Sequence, residues 1–157
     1  MEKLPITSLL EIFDELYIGV KNKEQTWVID SDPGEGFIDT IRNISAEDAS
    51  RPLYPGGSTL AAHTEHLRWS LNFALEFLHG KKPDGDWDKS WTVKKVNDEE
   101  WDNLQSALHN EYKAVRAGIE AIPDWTNPFL LKGTLALLPH AAYHLGAIRQ
   151  KMLALQH

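Results

Sequence analysis

Apolar residues recur at intervals of three and four along four long stretches of the chain, a pattern typical of amphipathic helices. No stretch keeps the strict alternation of apolar and polar residues that favours a strand, and no internal repeat is present. The pattern therefore predicts four long helices. They cover about residues 9–20, 58 or 59 to 79, 97–122 and 135–155.

Capping residues support two of these starts. Ser8 with Glu11 fits a capping box at the start of the first helix, and Asn97 with Glu100 suits the start of the third. In such a box each side chain accepts a hydrogen bond from a backbone N–H that the helix itself leaves without a partner. We therefore expect both helices to begin where these pairs stand.

Pro139 complicates the fourth predicted helix. A proline has no backbone N–H, which is harmless in the first turn of a helix, but deeper in the helix it causes a kink. We therefore expect this helix either to start close to Leu135 or to bend just before His140. In the second case the bend lies beside the pair His140 and His144.

A long connection joins the first two predicted helices. Pro33 and Gly34 indicate a loop, a short helix is expected over 37–44, and Ser45 followed by Asp48 fits the cap of another turn. A connection of this length is often functional or carries helices of its own. We predict an all-α fold, a four-helix bundle with a long, partly helical connection between helices 1 and 2, and not a simple up-down-up-down bundle.

Composition narrows the class of protein. The 157 residues are 42% hydrophobic and 25% charged, which is typical of one globular domain, here spanning 1–157. The net charge of −7 and the lack of a basic run argue against nucleic acid. No apolar stretch approaches 18 residues and no export signal is evident, so we expect a cytoplasmic protein without a membrane partner. Without cysteine, any thiol chemistry requires a thiol from outside.

His140 and His144 are the most informative residues of the chain. Residues four apart share one face of a helix, so both imidazoles can point at one place. Their apolar neighbours, such as Ala141 and Ile148, indicate a largely buried face, and burying imidazoles without partners is costly. Converging neutral imidazoles favour a borderline divalent metal. The alternative is two half-buried histidines that bond to the backbone or to neighbours.

A third ligand would come from the second predicted helix. His63 and His66 both fall on its apolar arc, and either can be the ligand while the other is a satisfied core histidine or supports the ligand from behind. Periodicity alone does not choose between them. The two predicted helices together therefore offer a three-histidine site with two alternatives for one ligand.

Two segments, STLAAHTEHLRWSLNFAL and HAAYHLGAIRQ, resemble the second-helix and fourth-helix motifs of the DinB-like (YfiT-like) metalloprotein superfamily. Their order and spacing also agree, so the resemblance covers most of the chain. It implies a bundle that binds a divalent metal, commonly zinc or nickel, through His66, His140 and His144. His66 is favoured because it precedes Leu67 in the matching His-Leu pair, and His63 would line the pocket. The chain departs from the simplest family pattern at WVIDSDPGEG and at Pro139.

Three neutral nitrogen ligands leave at least one coordination position of a divalent metal open for water or substrate. A zinc-like ion in such a site lowers the pKa of bound water to about 7 or ionises a bound thiol. The superfamily includes enzymes that use bacillithiol, mycothiol or glutathione. The first hypothesis is therefore a metal-dependent S-transferase in which a low-molecular-weight thiol, held as thiolate, attacks an electrophilic small-molecule substrate. The second is a hydrolase that uses metal-bound hydroxide. The third is a non-catalytic metal-binding or stress-response module.

Three further residues are candidates for binding the thiol or the substrate. Trp69 would line the pocket or serve as a core aromatic, Tyr143 would donate a hydrogen bond, and Arg149 would meet a substrate carboxylate. Trp87 and Trp91, in the linker after the second helix, would close the pocket or anchor the linker. The resemblance also allows a homodimer, although none of the four apolar stripes is in excess.

Overall fold

Four long helices dominate the computed structural model, which describes residues 6–156. Within that range no strand forms apart from an isolated bridge between Gly19 and Glu35, so the all-α prediction is confirmed. No helix in this range is long and apolar enough to cross a membrane. In chain order the segments are α1 (Ile6–Tyr17), α2 (Phe37–Ile41), α3 (Ala46–Ala49), α4 (Leu60–Leu78), a 3₁₀ helix (Trp87–Trp91), α5 (Asp98–Glu120) and α6 (Pro128–Leu155).

Side-chain caps fix three of the helix starts. The Ser45 hydroxyl accepts from the Asp48 N–H at 3.0 Å, which opens α3 as the sequence predicts. Thr59 caps α4 by accepting from Ala62 N–H. Asn97 forms the predicted reciprocal capping box at the start of α5. The local sequence therefore determines where these three helices begin.

The first helix differs from its prediction at both ends. It begins at Ile6, so Ser8 lies inside the helix and the predicted capping box is wrong. It ends at Tyr17 because the chain reverses at Gly19, whose φ is 135°. A Cβ there would clash with the carbonyl oxygen of Gly34, and Val20 N–H donates to that same carbonyl at 2.9 Å. Only glycine allows this turn and this approach.

The last helix is longer than its prediction. It begins at Pro128, where Pro occupies the first turn and the Asn127 side chain accepts from Phe129 N–H at 3.0 Å, so the start near Leu135 is wrong. Pro139 lies in the interior of a continuous helix, which costs one backbone hydrogen bond to the carbonyl of Leu135. The additional turns bring α6 alongside the end of α4, where they form one wall of a pocket.

The core lies between the four long helices. Each long helix contributes side chains without exposed area, among them Phe13 of α1, Leu67 of α4, Val115 of α5 and Ile148 of α6. The connection is tied to this core by Trp101, whose indole N–H donates to the carbonyl of Ile44 at 2.7 Å. Removal of these apolar side chains from water is the main stabilising contribution to such a bundle. It holds α4 and α6 in the fixed register that the site requires.

Candidate metal centre

Three histidines from α4 and α6 meet in the interior of the bundle. The Nε2 atom of His140 lies 3.0 Å from Nε2 of His66 and 3.1 Å from Nε2 of His144. His66 and His144 are buried and His140 is half-buried. One ring nitrogen of each lies within 4.8 Å of the others, a grouping that could hold a metal ion. These three residues are called the histidine cluster below.

Two serines hold two of these rings from behind. Nδ1 of His66 lies 2.7 Å from the hydroxyl of Ser90, and Nδ1 of His140 lies 3.1 Å from the hydroxyl of Ser70. The Ser90 hydroxyl donates to the carbonyl of Trp87 at 2.6 Å, so it accepts from the imidazole. A ligating histidine characteristically donates its other ring N–H to such a partner. The arrangement leaves the Nε2 lone pairs free to converge.

His63 holds the third ring. Its Nδ1 lies 2.8 Å from Nδ1 of His144, and its Nε2 lies 3.0 Å from the hydroxyl of Ser58. With Nδ1–H of His144 donating, His63 accepts at Nδ1 and donates from Nε2 to Ser58. The structure thus separates the two histidines that periodicity left as alternatives. His66 belongs to the cluster, and His63 stands behind His144 instead of lining the adjacent pocket.

The spacing and the charge state of the cluster fit a divalent ion. Tetrahedral zinc with Zn–N bonds of 2.0–2.1 Å places its nitrogen ligands about 3.3 Å apart, close to the 3.0 and 3.1 Å that separate Nε2 of His140 from the other two Nε2 atoms. Burial, with a smaller contribution from the neighbouring histidines, lowers the pKa of His66 to about 4 and that of His144 to about 3. Burial also lowers the pKa of His140. The rings are therefore neutral at pH 7, and a cation between them offsets the repulsion of their lone pairs.

The 3₁₀ helix covers the cluster with two indole rings. Trp91 stacks on His66 with centroids 4.2 Å apart and planes inclined by 20°. Trp87 lies 6.0 Å from the same imidazole and 6.4 Å from His140. The linker therefore both anchors itself on the cluster and shields it from water, which strengthens electrostatic interactions there. Both roles that the sequence suggested for these tryptophans are compatible with this placement.

An open pocket adjoins the cluster on the side of α6. Its volume is about 540 Å³, and it reaches the cluster at Ser70 and His140. Its remaining walls come from α4, from Trp87 and from the first turns of α6, most of which precede the predicted helix start near Leu135. The cluster therefore combines inward-facing nitrogens with access for a small molecule.

The three residues predicted for thiol or substrate binding make different contacts in the structure. The Trp69 ring packs edge-on to Trp87 at 4.8 Å, outside the cluster itself. Tyr143 is 72% exposed, with its ring 5.0 Å from that of His144. Arg149 donates to the carbonyl of Glu35 at 2.6 Å and so anchors the long connection. Their roles in binding stay predictions.

Sequence reasoning missed the serines that position the imidazoles. Ser70 follows His66 by four residues on the same helix, so its placement facing α6 was available from periodicity. Ser90 lies in a linker without regular periodicity, and only the fold brings it to His66. Such partners orient the ligands of metal sites, which makes these serines part of the site.

Comparison with known families agrees with this geometry. The model of the DinB superfamily matches residues 35–148. The chain belongs to the DinB superfamily. The DinB match covers the segment from just before α2 into α6 and includes all four histidines of the site, which confirms the resemblance read from the two motifs. That the rest of 1–157 forms one domain with this DinB region stays a prediction. No curated protein and no solved structure matches the chain.

Proposed function

We propose that this DinB protein is a metal-dependent S-transferase, an enzyme that joins a low-molecular-weight thiol through its sulfur atom to a small electrophile. His66, His140 and His144 would hold the ion, zinc or nickel. The observation that carries the proposal is the convergence of three neutral Nε2 atoms beside an open pocket. A divalent ion with three nitrogen ligands supplies a position for an exogenous group and lowers the pKa of a thiol held there.

The remaining residues of the site have supporting roles in this proposal. Ser90, Ser70 and His63 keep the three imidazoles in the tautomer that presents Nε2 to the ion. Trp87 and Trp91 exclude water from the imidazoles. The sulfur comes from an external thiol such as bacillithiol, because the chain has no cysteine. The thiol proton passes to solvent, the S–C bond forms, and the leaving group departs with the electron pair of its own bond.

A hydrolase with the same ligands is less favoured, because no carboxylate of residues 6–156 joins the cluster or lines the pocket that reaches His140. Glu65, next to His66 in sequence, is engaged by Arg68 at 2.7 and 2.8 Å. Metal-dependent hydrolysis usually relies on a nearby base to take the proton of the attacking water. A purely structural metal site is less favoured because such sites are closed, whereas this cluster opens onto a pocket.

Metal analysis of protein purified without a histidine tag tests the proposal first. After exposure to zinc or nickel and removal of excess ion, we expect about one equivalent per chain, since one three-histidine site is present. Less than about a tenth of an equivalent would overturn every metal-dependent function for this site.

Turnover then separates the transferase from the hydrolase. The loaded protein is incubated with an alkyl halide electrophile and, in separate reactions, with bacillithiol, mycothiol, glutathione or no thiol. We expect metal-dependent loss of electrophile and formation of the thioether only where a thiol is present. Metal-dependent turnover that needs no thiol would contradict the transferase and support the hydrolase.

A further inference from the structure

The pocket beside the histidine cluster is lined almost entirely by apolar side chains. Four of its walls are aromatic: Phe73 and Phe77 project from α4, Phe129 from the first turn of α6, and Trp87 from the 3₁₀ helix. The rings contact one another, with centroids 5.3 Å apart for Phe73 and Trp87 and 5.2 Å apart for Phe77 and Phe129. The pocket is therefore a slot between aromatic rings.

Among the residues that the structure describes, the lining contains no aspartate, glutamate, lysine or arginine. Leucine, alanine and glycine fill the spaces between the rings, and the polar groups are the side chains of Ser70, Thr134 and His140 and the indole N–H of Trp87. This composition stands out in a chain whose residues are 25% charged. An ion placed among these walls would lose part of its hydration without gaining an opposite charge, so its binding is disfavoured. The lining therefore selects against charged groups.

Two of the polar side chains, Ser70 and His140, lie where the slot meets the cluster. Ser70 contacts Nδ1 of His140, and His140 itself lines the pocket. A molecule in the slot thus has its apolar part among the aromatic rings and its other end beside His140, the residue of the histidine cluster that lines the pocket. The volume of about 540 Å³ lies within the range that holds small ligands.

We infer that the slot binds the uncharged aromatic or branched alkyl group of the electrophile and so restricts the enzyme to apolar electrophiles. This inference rests on the proposed function. It adds that selectivity comes from the walls built by α4 and the first turns of α6 and not from an ion pair. The occupant is a small molecule because the slot adjoins the histidine cluster at His140, beside which a reacting atom has to come.

Three probes with one ring system and different charge test the inference. Binding of 2-naphthalenemethanol, 2-naphthoate and 2-naphthylmethylammonium to the metal-free and the zinc-loaded chain is measured by isothermal titration calorimetry. We expect the alcohol to bind. In the metal-free chain, each charged probe should bind at least about tenfold more weakly than the alcohol, because no opposite charge offsets the loss of its hydration. Equal affinity for the alcohol and both ions would overturn the inference.

Two glycines of α6 offer a matched pair of variants. A Cβ at Gly133 or at Gly146 meets no atom within 4 Å, but only Gly133 lines the slot. Leucine has a higher helix propensity than glycine, so both variants should fold. We expect Gly133→Leu to weaken binding of the alcohol at least about tenfold by filling the slot, and Gly146→Leu to change it less than about twofold.

The remaining outcomes assign failure to one proposal or the other. Unchanged alcohol binding by Gly133→Leu would overturn the inference. The inference would also be overturned if neither chain bound the alcohol and if the wild-type chain were a dimer that Gly133→Leu makes monomeric. This face would then be an interface between copies. Alcohol binding that follows the expected pattern in a chain that takes up no zinc or nickel would overturn the proposed function while supporting the selectivity of the slot.

Discussion

Two clusters of buried polar side chains lie in this bundle, and they differ in what satisfies them. The carboxylate cluster consists of Asp14 and Glu15 of α1. Asp14 accepts from the hydroxyl of Tyr112 at 2.6 Å and from Nε of Arg116 at 2.8 Å, and Glu15 accepts from the backbone N–H groups of residues 27–29 at 2.7 to 3.1 Å. Every buried carboxylate there is paired within the chain.

The histidine cluster is satisfied on one side only. Its Nδ1 atoms contact Ser90, Ser70 and His63, whereas its Nε2 atoms face one another across 3.0 and 3.1 Å. Three neutral imidazoles oriented in this way present lone pairs and no donor toward their centre. The carboxylate cluster is thus complete as a structural element, whereas the inward-facing nitrogens of the histidine cluster are arranged as an ion would require. The comparison teaches that a buried polar cluster has to be judged by which of its atoms already have a partner within the protein.

The largest expected effect concerns the stability role of the carboxylate cluster. Glu15→Ala removes the acceptor of three backbone N–H groups, and we expect it to lower the free energy of unfolding by about 3 kcal/mol. Urea denaturation measures this. Exposed Glu11 on the same helix is the control, and Glu11→Ala should stay within about 0.5 kcal/mol. A fall in zinc affinity with Glu15→Ala, once folded protein is selected, would contradict the separation of the two clusters.

For the histidine cluster we expect a large effect on zinc affinity and a small effect on stability. His140→Ala should weaken zinc binding at least about a hundredfold, because one of three ligands is lost. It should change the unfolding free energy of the metal-free chain by only about 1 kcal/mol, since His140 is half-buried and faces a pocket. Calorimetry with zinc and urea denaturation measure the two effects. Exposed His79 provides the control, and unchanged zinc affinity in His140→Ala would exclude His140 as a ligand.

A smaller effect is expected from the histidine behind the cluster. His63→Ala removes the partner of His144 Nδ1, and we expect zinc affinity to fall about 10- to 100-fold while the stoichiometry stays near one ion. Titration calorimetry reports affinity and stoichiometry in one experiment. If His63→Ala abolished binding and His66→Ala did not, the ligand set would have to shift by one helical turn.

The smallest effect concerns the serine supplied by the linker. Ser90→Ala removes the hydroxyl at 2.7 Å from Nδ1 of His66, and we expect zinc affinity to fall about fivefold, the value of one neutral hydrogen bond. Thr92→Ala is the matched control, because that hydroxyl donates to the backbone of the same linker but faces solvent. Equal effects of the two variants would mean that the linker matters only for folding.

Much of the fold was available from local sequence. The spacing of apolar residues at intervals of three and four predicted four long helices. The caps at Asn97, Thr59 and Ser45 behave as their residue types predict, because caps depend on only three or four neighbouring residues. The failures have physical causes as well. The fourth helix was predicted to start near Leu135, whereas Asn127 at the cap and Pro128 in the first turn are the actual start signal.

The candidate site was predictable in part. The spacing of His140 and His144 places both on one helical face, and family register favoured His66 over His63. Neither periodicity nor spacing reveals the partner of a ring nitrogen on another element. Ser90 and Trp91 reach His66 only because the linker folds back over α4.

By itself the sequence determined the helices, the pairing of two histidines on one face and membership in the DinB superfamily, because each depends on residues close together in the chain or on a linear pattern. The tertiary structure alone decided which histidine of α4 joins the cluster, which buried polar atoms are satisfied and where the pocket opens. These properties depend on how α4, α6 and the linker pack together, and packing is a property of the whole chain.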